Sequence, residues 1–273
     1  MSKRAKFVLV SAILAVLMWS TQLVVPDHRL QAILGLGALS YIVSAWVLFE
    51  DLKGIEWLTV LILPVLYTLG AGLFSLFLPE FVPRFFGTRL EAETARTLAG
   101  VVRSLFWVLF GVGYYALYLT ENIFSVAAIR TIQLLRAAHA VGFLLTLVTG
   151  AFLFEGLFSF RLPFWAMGLS AAVFGFLLFL QGNWSMVLKE GISRRVLTYS
   201  AVQALLVAEA AMALSFWPVK ALTGALMMAT AIYGLLGLSQ QYLVGRLFRN
   251  QINEYVAVTV VVVLASFYIT SWR

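Results

Sequence analysis

Cysteine is absent from the 273 residues, which excludes disulfides, thiol nucleophiles and thiolate-ligated metals. Histidine is nearly absent: His28 and His139 stand far apart in sequence and no HExxH occurs. No metal or other cofactor is therefore expected. Charge is scarce as well, at 11% of residues, against about 25% in a soluble domain. So little Lys and Glu leaves no polar coat for a water-facing surface. Missing too are GxSxG, a P-loop, a GxGxxG opening a helix and a paired-aspartate metal motif, so the common catalytic signatures give no enzyme assignment.

What is abundant is apolar surface, 62% of the chain. Crossing a bilayer takes roughly 20 apolar residues in a helix, and nine stretches qualify: about 6–25, 30–49, 56–78, 97–119, 137–158, 162–182, 196–217, 220–243 and 254–272. The expected fold is all-α, a polytopic bundle of nine spans forming one integral membrane domain over 1–273. Failure of the last stretch to insert would leave eight. The first stretch follows Lys3, Arg4 and Lys6, as a signal peptide does. No small-x-small cleavage site ends it, and a retained span is the expectation.

The net charge of +7 does not mark a nucleic-acid partner, because the cations sit in the short connections between apolar runs. Lys3, Arg4, Lys6, Lys53, Arg130, Lys189, Arg194, Arg195, Arg246 and Arg249 fall on one side of the predicted topology, against Arg29, Arg161 and Lys220 in the opposite turns and the arginines of the 79–96 segment. That bias places the N-terminus in the cytoplasm of a bacterial-type inner (plasma) membrane. Proline marks the other side: Pro26, Pro79, Pro83, Pro163 and Pro218 lie in the opposite turns, and only Pro64 interrupts a span. Pro64 with Gly70 and Gly72 makes the third span the expected kinked or broken helix. Two non-spanning segments complete the organisation: an external amphipathic segment at 79–96 and an inner interfacial helix at 121–136.

Ionisable residues at membrane depth are costly and are the natural site candidates. Arg103, Glu155 and Glu209 come from three different spans, each within roughly 5–13 Å of the external surface at 1.5 Å per residue. Thr88-Arg89-Leu90-Glu91 reads as a capping box, starting a helix at Arg89. Arg89, Arg96 and Arg103 would then share one face at heptad spacing. Guanidinium groups bind phosphate and carboxylate through paired donors, so such a ladder suits an anionic solute or lipid headgroup. The competing reading is structural, with Arg103 pairing Glu209 or Glu155 only to fix helix registry. His139 and Gln203 lie nearer the inner face, as interhelical hydrogen bonders or as a proton path towards Glu209.

Three functions follow from these residues. The first is a small membrane carrier or lipid-handling protein binding an anionic solute or headgroup from the outer leaflet. The second is a structural or assembly subunit docked on a membrane-protein partner, and the third an enzyme acting on a lipid-linked substrate. Membrane lipids are partners in all three.

Overall fold

The computed structural model describes residues 2–82, 84–85, 88–128, 133–189 and 191–270, with 84–85 and 88–89 described by their backbone. Nine helices long and apolar enough to span a membrane occur among them: α1 (Lys3–Ser20), α2 (Pro26–Leu48), α3 (Glu56–Ser75), α4 (Ala92–Ala127), α5 (Leu135–Ser159), α6 (Phe164–Val187), α7 (Arg194–Ser215), α8 (Ala221–Leu243) and α9 (Arg249–Ile269). Successive helices run in opposite directions. One end of the bundle carries Lys3, Lys6, Lys53, Lys189, Arg194 and Arg195, and is called here the basic end. The other carries Pro26, Pro79, Pro163 and Pro218, and is called the proline end.

Local chemistry sets the helix starts. Ser2 caps α1 by accepting from the Ala5 N–H, and Ser193 caps α7 by accepting from the Val196 N–H. Pro26 occupies the first turn of α2, where its missing N–H leaves no bond unmade. Between α3 and α4 a two-residue antiparallel pairing joins Arg84–Phe85 to Thr88–Arg89. The expected helix start at Arg89 is thereby corrected: the backbone there is committed to the hairpin, and α4 begins at Ala92 with Glu91 as its N-cap.

The hub is α3, which packs on α2, α4, α5 and α6. Its glycines permit this approach. A Cβ on Gly72 would lie 2.5 Å from a methyl of Ile33 in α2, closer than packed atoms can come. Pro64 does not break the helix, which is continuous from Glu56 to Ser75. The Pro64 carbonyl accepts from the Thr68 hydroxyl (2.9 Å) and from the Tyr114 hydroxyl of α4 (3.2 Å). Around it Tyr67, Phe110, Tyr114, Tyr118 and Phe7 pack ring on ring. The apolar core draws on α1 through α8, whereas α9 packs on α8 and leaves most of its surface exposed.

The inner interfacial helix expected at 121–136 is not a separate element. Residues 121–127 are the last turns of α4 and bury Glu121, Phe124 and Ser125, while Leu135 and Arg136 open α5. Ile129, Arg130 and Ile132 lie outside the described residues. Trp184, near the end of α6, is buried and donates to the Lys189 carbonyl.

Candidate functional site

Arg103, Glu155 and Glu209 are not drawn together by any hydrogen bond or ion pair among the described residues. Arg103 Nη2 donates to Glu80 Oε1 at 3.4 Å and to the Leu78 carbonyl at 3.5 Å. Its partners thus come from the connection before α4, and the Glu80 carboxylate is 79% exposed. Glu155 is buried on α5, with Oε1 accepting from the Ser159 hydroxyl at 3.1 Å. Glu209 is exposed on α7, in a stripe with Val202, Leu205, Leu206 and Phe216. Since α4 packs on α1, α2, α3 and α5 and α7 on α6 and α8, Arg103 and Glu209 belong to different flanks. Arg96 is exposed on α4, and the side chain of Arg89 lies outside the described residues. The three-arginine helical face is reduced to Arg96 and Arg103.

His139 and Gln203 hydrogen-bond across helices, each to α6. His139 Nε2 lies 2.9 Å from the Ser185 carbonyl and its ring stacks on Phe124. Gln203 accepts from Asn183 Nδ2 at 2.8 Å and donates to the Leu235 carbonyl of α8 at 2.6 Å. Neither bonds the other or Glu209 among the described residues.

The proline end holds a concavity of a different make. The α5–α6 turn and the α7–α8 turn enclose a pocket of about 690 Å³ whose charged lining residues are Arg161 and Lys220. Both side chains are exposed. Arg161 adopts the left-handed backbone conformation (φ 51°) that closes the tight turn before Pro163. Lys220 is the N-cap of α8. The hydroxyls of Ser159 and Ser215 and the apolar surfaces of Phe77, Leu157 and Met167 complete the walls. Because Ser159 bonds Glu155, that buried acid lies one turn below the pocket lining. The N-terminus of α8 opens into this pocket at Ala221 and that of α6 begins two residues beyond Leu162, adding partial positive charge. Two cations and an apolar floor fit an anionic group attached to an apolar body, while the Ser159 and Ser215 hydroxyls donate to Glu155 and to the Met212 carbonyl.

A second groove, about 560 Å³, runs between α1 and α4 and is lined by residues such as Val8, Ala12, Trp19, Trp107 and Gly111, none of them charged. Its chemistry is that of a slot for hydrocarbon.

The family model described as Protein of unknown function (DUF5656) matches residues 7–269. The chain belongs to this family. The DUF5656 match runs from within α1 to the last residue of α9. Neither the curated proteins nor the solved structures hold a match.

Among the described residues of this DUF5656 protein, a buried polar assembly lies towards the basic end. Asn183 Nδ2 donates to Ser200 Oγ and Gln203 Oε1, and Asn183 Oδ1 accepts from Ser239 Oγ at 2.7 Å. Gln240 Nε2 donates to the Gly182 carbonyl at 2.9 Å, and Gln181 Nε2 to Glu121 Oε1 at 2.7 Å. All of these side chains are buried. The signal was Gln181-Gly182-Asn183 at the end of an apolar run, which reads equally well as a helix terminus meeting water.

Proposed function

We propose that this DUF5656 protein is a multi-pass carrier or lipid-handling protein of a bacterial-type inner membrane. With its N-terminus in the cytoplasm, it takes an anionic solute or an anionic lipid headgroup from the outer leaflet. One observation carries the reading: the pocket at the proline end has two charged lining residues, Arg161 and Lys220, and both are cations. The excess of Lys and Arg at the other end supports the orientation, which puts this pocket at the external surface. There a guanidinium and an ammonium meet phosphate at the depth where lipid headgroups lie. The apolar floor suits the glycerol and first methylenes of a lipid.

Native mass spectrometry of the purified protein with phosphatidylglycerol and phosphatidylcholine tests this. The wild type is expected to retain the anionic lipid preferentially, and the Arg161→Gln/Lys220→Gln double variant to lose that preference by about tenfold, the equivalent of about 1.4 kcal/mol. Inorganic phosphate competing for the same sites would assign the pocket to a soluble anion. Preference that survives the double variant and disappears in Arg103→Gln would move the site to the Arg96–Arg103 edge of α4.

A second reading, the assembly subunit, is favoured by Glu209 alone. A carboxylate on an apolar helix face at membrane depth is costly against lipid, and a partner's donor covering it would remove that cost.

A further inference from the structure

Glu121 is the most enclosed acid among the described residues, with no exposed surface. Its Oε1 accepts a single hydrogen bond, from Gln181 Nε2 at 2.7 Å. Its Oε2 is buried and without a partner, and so is the hydroxyl of Ser125, one helical turn further along α4. A carboxylate offers about four acceptor sites, and a buried charge persists only where paired and well bonded. One neutral amide does not meet that demand.

Among the described residues, none of the charged and titratable groups of the elements around this end bonds to Glu121. Lys3 pairs with Asp51, and Lys6 with Glu50. Glu56 accepts from the Lys53 N–H at the start of α3. His139 on α5 is bonded to the Ser185 carbonyl, and Arg136 is exposed. Tyr67, Tyr114 and Tyr118 bond to Phe110, Pro64 and Ser44 respectively. Arg4 and Tyr115 make no ion pair with Glu121 among the described residues, and α6 contains no ionisable side chain.

The unpartnered Oε2 suits a neutral acid. With a proton on that oxygen Glu121 carries no charge to be met in the dry interior, and Ser125 makes no bond to it. Water is near: Glu121 lies six residues before the end of α4, about 9 Å beneath it. Its neighbour Asn122 donates to Asp51, a partly exposed carboxylate that also holds Lys3. The geometry points to Glu121 as a proton-binding site within the bundle, exchanging its proton with the water at the basic end. This site is separate from the anion pocket, and either assignment can fail without the other.

Infrared pH-difference spectra of the full chain in lipid bilayers test it. The wild type is expected to show a carboxylic-acid C=O band that forms on acidification. Because Glu155 Oε2 is likewise buried and unpartnered, the comparison is made in a Glu155→Gln background, where Glu121→Gln abolishes the remaining band, Glu121→Asp shifts its frequency and Glu209→Gln leaves it in place. Gln181→Leu keeps Glu121 intact but removes the bond to its C=O, so the band moves to higher frequency; this arm decides the matter should Glu121→Gln not fold. A band that persists in both Glu121 variants, or stays unmoved in Gln181→Leu, overturns the assignment. So does loss of the band on adding sodium at constant pH, which would make the site one for a metal cation.

Discussion

The two ends of the bundle handle polar groups in opposite ways. At the basic end the side chains of Asn183, Gln203, Ser239, Gln240, Gln181 and Glu121 are buried and bonded from helix to helix. At the proline end the cations Arg161 and Lys220 are exposed around an open pocket, and Arg103 pairs with a Glu80 that is itself mostly exposed. Buried amides hold helices in one registry because each unmade bond costs free energy in a dry interior. Exposed cations hold little together and remain available to a ligand. One end is built for cohesion and the other for encounter.

The contrast can be broken by substitution, and the largest effect is expected at Asn183. Asn183→Leu removes three bonds and strands the partner groups on Ser200 and Gln203, while Ser239 keeps the Leu236 carbonyl. A loss of about 1–3 kcal/mol follows, measurable by denaturant titration in mixed micelles, and an unchanged midpoint would deny the network its cohesive role. Glu209→Leu should act in the other direction. Removing a carboxylate from an apolar exposed stripe is expected to raise stability in the same assay by about 1–2 kcal/mol, less than the full cost at the bilayer centre. A fall in stability, or loss of a co-purifying subunit, would show instead that a partner covers it. The smallest effect belongs to Glu80→Gln. Its ion pair with Arg103 is largely solvated, and such pairs contribute about 0–1 kcal/mol, so the midpoint is expected to stay nearly fixed.

Span positions were legible in the sequence because bilayer thickness acts on run length alone. Each of the nine apolar stretches overlaps one helix, and the proline turns lie where Pro26, Pro163 and Pro218 predicted. Rotation about each helix axis was not legible. A helix apolar on every side gives no periodic pattern to say which face looks inward, so Glu209 could not be told to face outward, nor Arg103 to meet Glu80. Glu121 was missed for a related reason. The apolar run weakens at Thr120-Glu121-Asn122, which reads as arrival at the surface. The helix instead continues two turns to Ala127 and carries the acid into the core. Arg161 and Lys220 were visible as turn residues, but only the folding of two distant turns against each other puts them on one pocket.

The 36 residues of α4 make a rod about 54 Å long, where a hydrocarbon layer measures about 30 Å. No upright placement hides such a rod, so it must lean, protrude, or both. Its opening turn, with Glu93, Arg96 and Thr97 all exposed, then reaches past the lipid tails like a gauge mark above a waterline. A spin label on that turn would read how deeply the bundle rides in membranes of different thickness.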